Sequence, residues 1–234
     1  MNINEMFQKQ TAEELIRQRI EDGFLYALEN GRQYIVRDGI KSMVHRLSWG
    51  DVYKAGKCGI KTRTHSREKN YKCKLSPIQQ RPENIWSIEV EPRCAELAVA
   101  RFLDLPWHCH VDKFNHGGDV GEWTQVRHSF DNDNGLKHRE SNSVNKPYVQ
   151  VSGGNGWFLI HGWEWGWKCR HRPTTFPVNP CWIVPLKDLR PMDEFPPEPD
   201  FKIGKDITDE RLCEFMGWTP EQWQDMTRYD GTPL

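Results

Sequence analysis

The chain predicts an α/β domain: a central mixed β-sheet flanked by helices, with an N-terminal helix and a small helical C-terminal extension. Three observations predict it. Behind Pro92, the residues Ala95, Ala98, Val99, Phe102 and Leu103 recur at i, i+3, i+4, i+7 and i+8, the stripe of an amphipathic helix. Two apolar runs of strand length, Pro147 to Val151 and Gly156 to Trp163, flank Ser152-Gly153-Gly154-Asn155-Gly156, a sequence suited to a hairpin. At 234 residues the chain can bury one substantial core and has room for an appendage.

In chain order, residues 10–30 read as a helix. Thr11-Ala12-Glu13-Glu14 is a capping box, Leu15, Ile16, Ile20 and Phe24 fall near helical spacing, and Asn30-Gly31 supplies a stop. Tyr34-Ile35-Val36 suggests a short strand. The stretch from Asp51 to Pro82 is polar, basic and poorly periodic, so a long loop or extended ribbon is expected there. The helix behind Pro92 comes next, then a strand from Trp123 to His128, a turn at Asp131-Asn132-Asp133-Asn134-Gly135, and the hairpin already described. Trp182-Ile183-Val184 reads as another strand. Pro196-Pro197-Glu198-Pro199-Asp200 marks a linker, after which helix starts are expected at Thr208 and Thr219. These features divide the chain into residues 1–87 (N-terminal helix and basic loop region), 88–194 (α/β core) and 195–234 (Pro-rich linker and acidic helical tail).

Net charge is −1, but its distribution is uneven. Lys54, Lys57, Lys61, Arg63, Arg67, Lys69, Lys72 and Lys74 stand against the single acid Glu68, whereas Asp188 to Leu234 holds twelve acids and five bases. Such a basic tract can follow a phosphate backbone, with Tyr53 and Tyr71 as nearby stacking rings; a solvated surface loop is its ordinary alternative. No apolar run approaches the roughly 18 to 20 residues that span a bilayer, and the N-terminus lacks an apolar signal region, so no membrane association and a cytoplasmic location are expected. Seven scattered cysteines, at 58, 73, 94, 109, 169, 181 and 213, fit reduced thiols better than a disulfide framework. Among eleven tryptophans, Trp163, Trp165 and Trp167 alternate as if on one strand face, where core packing is the favoured reading.

The stretch richest in chemistry is Gly118-Asp119-Val120-Gly121-Glu122-Trp123-Thr124-Gln125-Val126-Arg127, preceded by Glu96 at the edge of the helical stripe. Residues i and i+2 of a strand share a face, so Gln125 and Arg127 should point together, and a tight turn through Gly121 can bring Asp119 beside them. Asp119, Glu96 and the Gln125 amide oxygen are adequate ligands for Mg²⁺ or Mn²⁺. Arg127 holds its proton too tightly to act as a base, so it could only orient or stabilise, and a base would be the metal-bound water or a residue such as His128.

This layout resembles the PD-(D/E)XK nuclease superfamily, and the order of elements over roughly residues 88–192 looks like that of phage and prophage nuclease-like proteins. In that pattern an Asp and a Glu bind Mg²⁺ and a Lys two positions on orients the attacking water. Here Gln125 and Arg127 stand at the last two positions. The resemblance implies a restriction-endonuclease-like core and a metal-dependent DNA endonuclease of phage or mobile-element type, in the bacterial host cytoplasm if phage-encoded. It assigns Glu96, Asp119 and Gln125 to the metal and Arg127 to the transition state, with the Lys and Arg of 54–74 on the DNA. The alternative is a catalytically degenerate nuclease fold that binds nucleic acid or inhibits a host protein; a homodimer also stays open.

Two further sets were weighed for zinc: His108-Cys109-His110 with His116, and Cys169-Arg170-His171 with Cys181, either one completed by Cys58 or Cys73. Their spacing matches no finger, and adjacent ligands on an extended segment point to alternate faces, so zinc is not expected.

Overall fold

The computed structural model describes residues 25–29, 31–69, 86–109, 118–130, 135–172 and 181–198, with isolated positions at 213, 214, 217, 219 and 221. A six-stranded mixed sheet, in the order β1-β2-β3-β7-β6-β4, forms its centre. The strands are β1 (Leu25–Glu29), β2 (Arg32–Arg37), β3 (Ile40–Arg46), β4 (Gln125–Ser129), β6 (Pro147–Gly154) and β7 (Trp157–Trp165). All neighbours run antiparallel except β4 and β6. A two-stranded sheet pairs β5 (Leu136–Arg139) with β8 (Cys181–Val184). The helices are α1 (Trp49–Glu68), α2 (Glu91–Leu103), led in by a π-turn at Trp86–Val90, and the short α3 (Gly166–Arg170).

Asx-Gly turns set the register of the antiparallel strands. Asp38-Gly39 and Asn155-Gly156 form two-residue hairpin loops with positive φ at both positions, the conformation that matches the right-handed twist of the flanking strands. Gly31, with φ of 73°, precedes β2 where it pairs with β1. The expected helix over 10–30 is therefore corrected at its end: residues 25–29 form β1, paired from Leu25 opposite Val36 to Glu29 opposite Arg32. Gly31, read as part of a helix stop, lies instead between paired strands, because a glycine with φ > 0 serves a helix end and a hairpin alike. Residues 10–24 lie outside those described.

The second correction is larger. Of the stretch from Asp51 to Pro82 expected as loop or ribbon, residues 51–68 belong to a 20-residue helix, Trp49–Glu68, and residues 70–82 lie outside those described. Ser48 caps it: the Asp51 backbone N–H donates to Ser48 Oγ at 3.1 Å, and Ser48 Oγ donates to Asp51 Oδ2 at 2.8 Å. Val52, Ala55, Cys58 and two glycines form its buried face, and a Cβ at Gly59 would collide with the Glu89 carbonyl, so this side approaches the π-turn backbone directly. A face built from Ala and Gly carries almost no hydropathy signal, which is why periodicity did not reveal it.

The helix behind Pro92 forms as expected, as α2, and lies across one face of the sheet. Cys94 through Ala100 are buried with Val126, Val149, Val151, Phe158 and Ile160. Trp123, Trp163 and Trp165 complete this core in edge-to-face pairs 5.3 to 5.5 Å apart. Trp167 is not on their strand face; β7 ends at Trp165 and Trp167 belongs to α3. Strands from both sides of residue 87 share the sheet, since β3 pairs with β7 from Met43 opposite Ile160 to Arg46 opposite Trp157. The Pro-rich linker packs on the core at its start: Phe195 meets Trp163 at 5.3 Å, and Glu198 Oε1 accepts the Glu122 N–H at 2.7 Å. The Asp131 to Asn134 turn and the bulk of both tail helices lie outside the described residues.

The cysteines also depart from expectation. Cys58 on α1 and Cys109, in the segment after α2, form a disulfide with Cα atoms 5.6 Å apart. Two positions 51 residues apart cannot be paired from spacing; the packing of α1 beside α2 brings them together. Cys94 and Cys169 are free, buried thiols. No helix among the described residues is long and apolar enough to cross a membrane.

Candidate carboxylate site at the mouth of β4 and β6

Two of the expected site residues meet where the parallel strands β4 and β6 begin. Glu96 projects from the sheet-facing side of α2 and is only 7% exposed. Its Oε1 and Oε2 accept Arg93 Nη1 at 2.7 and 2.9 Å, and its Oε2 accepts the Trp107 Nε1–H at 3.2 Å. Asp119 sits in the tight turn ahead of β4. Its backbone N–H donates to Thr124 O at 2.7 Å, Gly121 takes the positive φ that closes the turn, and its Oδ2 accepts the Val126 N–H at 2.9 Å. The turn through Gly121 therefore delivers Asp119 to the start of β4.

Burial pushes the Glu96 carboxyl up to about 7, the negative charge of Asp119 pushes in the same direction, and Arg93 and Trp107 only partly oppose them. Around neutral pH Glu96 thus still holds its proton in part, where an exposed carboxylate would have released it. Arg93 is held firmly charged: burial works against its charge, but Glu96, Asp119 and Glu89 outweigh it. Lys146, immediately before β6, is the second cation at this mouth. Burial lowers its ammonium, and Asp119 opposes that effect.

Gln125 and Arg127 share a face of β4, as the strand period requires, but it is the face away from α2. Val126 between them belongs to the α2-side core, while Tyr148, paired with Gln125, packs with Leu136, Cys169 and Val184 on the opposite side. The Arg127 guanidinium lies 4.8 Å from the Tyr148 ring centroid, and its Nη1 donates to Val126 O at 3.2 Å. The structure brings Glu96 and Asp119 together and turns Arg127 towards Tyr148. His128, considered as a base, is also elsewhere: its Nε2 bonds the Gly153 carbonyl at 2.8 Å beside Phe158, and burial lowers its imidazole.

Arg93, Trp107 and Lys146 were not singled out from the sequence. The i, i+3 spacing of Arg93 and Glu96 on a helix was a usable signal. Trp107 and Lys146 carried none, since both reach the site through tertiary packing.

A hard cation suits this donor set: a buried carboxyl whose proton affinity is raised beside a second carboxylate would be relieved by Mg²⁺ or Mn²⁺, whereas Gln125 lies on the other face of β4. Among the described residues no group of three or more His, Cys, Asp and Glu side chains could hold a metal. Cys109 and Cys58 are spent in their disulfide and supply no thiolate to zinc; Cys169 is buried, its thiol pushed far above the ordinary range by burial and Glu164. His110, His116 and Cys73 lie outside the described residues.

The basic tract maps onto α1. Lys54, Lys57, Lys61 and Lys69 are exposed. Arg63 turns inward to Glu89 at 3.5 Å, Arg67 lies in the last turn, and Lys72 and Lys74 are outside the described residues. Lys54 Nζ lies 5.5 Å from the Trp107 ring centroid, and that same indole donates to Glu96. One aromatic side chain thus links the basic helix to the carboxylate pair.

No protein-family model, no curated protein and no solved structure matches this chain.

Proposed function

We propose that this chain is a metal-dependent nuclease that hydrolyses phosphodiester bonds in DNA, built on a restriction-endonuclease-like core of the PD-(D/E)XK type and of phage or mobile-element origin. The observation that carries the reading is the Glu96–Asp119 pair, a helix carboxylate over the sheet meeting a turn carboxylate at the start of a strand, with Lys and Arg around it. Asp119 and Glu96 would hold Mg²⁺, the remaining positions being left to water and the substrate phosphate. The bound ion would polarise the scissile phosphate and acidify a water. Arg93 and Lys146 offset the negative charge of the carboxylates and of an approaching phosphate; Lys146, with its lowered ammonium, is better suited than Arg127 to exchange a proton. Trp107 fixes the Glu96 carboxylate through its Nε1–H.

The test is incubation with supercoiled, linear and single-stranded DNA in Mg²⁺ and in Mn²⁺, beside Asp119→Asn and an EDTA control. Asn keeps an oxygen for the Val126 N–H and removes the charge. Metal-dependent cleavage lost in the variant supports the reading; no cleavage of any form overturns it. Because Glu96 must give up its proton to bind a cation, metal affinity and cleavage should both rise with pH through about 7.

A second reading is favoured by the placement of Gln125 and Arg127: a degenerate nuclease fold that binds nucleic acid, or a host protein, without cutting. Gln125 carries no charge, and Arg127 is engaged with Tyr148. It predicts salt-dependent DNA binding with no metal-dependent product, and cleavage appearing in Gln125→Glu.

A further inference from the structure

The face of α1 that turns away from the core is unusual for a solvent face. Trp49, Tyr53 and Ile60 are 61, 69 and 55% exposed, and of the large hydrophobic residues exposed among those described only Phe130 lies elsewhere. At 100° per residue, Trp49, Tyr53, Lys57 and Ile60 fall within one quarter of the helix circumference, with Lys54 and Lys61 along one margin. Lys57 Nζ lies 5.4 Å from the Tyr53 ring centroid. Of the acids near this helix, Asp51 accepts Arg101 at 2.7 Å and Glu89 pairs with Arg63, while Glu68 stands exposed in its last turn. The strip therefore combines positive charge with two flat aromatic surfaces.

We infer that this face of α1 is a docking track for unpaired nucleotides, so that the chain selects single-stranded nucleic acid over duplex. The inference rests on the phosphodiester reading of the Glu96–Asp119 site and supplies its substrate class. Lysines alone would follow the backbone of either form, because both present phosphates at the surface. Trp49 and Tyr53 discriminate, since a base can stack on an exposed ring only when it has left its own stack and partner. A folded acidic protein would satisfy the lysines but offers no planar partner for two rings set one helical turn apart. The track also leads to the site: Lys54, at its margin, covers the Trp107 ring whose Nε1–H holds Glu96, and the Cys58–Cys109 disulfide fastens α1 to the Trp107 segment.

The test uses the full chain in EDTA, so that binding is measured without cleavage. Fluorescence anisotropy would compare labelled oligothymidylate, oligouridylate and the oligo(dA)·oligo(dT) duplex, for the unaltered protein and for Trp49→Ala, Tyr53→Ala, Tyr53→Phe and Lys57→Ala. Both single strands should bind at least roughly tenfold tighter than duplex. Trp49→Ala and Tyr53→Ala should each weaken single-strand binding by roughly fivefold or more, and Tyr53→Phe should restore it. Lys57→Ala should reduce the slope of log affinity against log salt by about 0.7. Equal affinity for duplex and single strand, Ala variants that bind as the unaltered protein does, or no nucleic-acid binding would each overturn the inference. Loss of binding in the Ala variants without metal-dependent cleavage would remove the phosphodiester reading and leave the track. Cleavage lost in Asp119→Asn but indifferent to Trp49 and Tyr53 would do the reverse.

Discussion

Helices α1 and α2 lie side by side, joined through Asp51 and Arg101, yet they treat charge in opposite ways. The α2 helix is buried almost all round over Cys94 to Ala100 and carries Glu96 into that apolar setting, where solvent no longer stabilises the carboxylate and its proton affinity climbs to about 7. The α1 helix buries a narrow face of Val, Ala, Gly and Cys and leaves its lysines in water beside Trp49 and Tyr53. Burial converts a common residue into a reactive one; exposure keeps common residues available for long-range attraction. A site and a surface for delivering substrate to it need these two treatments.

Separating the two helices should have the largest effect. Reducing the Cys58–Cys109 disulfide, or replacing both with Ser, opens a 51-residue loop and should lower stability by about 4 kcal/mol on the chain-entropy account, read as a fall in the urea midpoint. Unchanged midpoints under reducing and oxidising conditions would show that packing alone holds α1 in place. Next comes Leu97→Ala inside α2, expected to cost about 3 kcal/mol because the surrounding core cannot collapse into the space. A cost near zero would mean that α2 is less tightly enclosed than α1.

The pH response of Glu96 sharpens the comparison further. Its folded value, about 7, lies above the ordinary 4.5, so the folded state binds the proton more tightly. The resulting stabilisation is complete below about 4.5 and is lost as pH rises through about 7. Glu96→Gln should flatten the melting temperature over that interval, and an unchanged profile would assign the titration to another group. The smallest effect belongs to α1: Ile60→Ala, on its exposed face, should shift stability by no more than about 0.5 kcal/mol in the same urea titration.

Much of the carboxylate site was legible because its logic is local. Pro92 and the stripe from Ala95 to Leu103 defined α2, Gly121 marked the turn that delivers Asp119, and period two placed Gln125 with Arg127. Which face of β4 those two occupy was not legible, because Gln-Val-Arg reads the same whether Val126 or its neighbours turn inward. Helix α1 was missed although its cap, Ser48-Trp49-Gly50-Asp51, is a usable signal; the basic tract that follows overshadowed it.

The sequence by itself determined the elements governed by neighbours along the chain: the amphipathic helix α2, the β6–β7 hairpin through Asn155-Gly156, the Asp119 turn and a basic segment rich in Lys. Tertiary structure decided everything that depends on distance through space. It set Trp107 between Lys54 and Glu96, brought Lys146 to Asp119, joined Cys58 to Cys109, and turned Arg127 onto Tyr148. The physical reason is that hydrogen-bonded turns and helical stripes are fixed by backbone geometry over a few residues, whereas desolvation and charge coupling arise only when remote segments exclude water together.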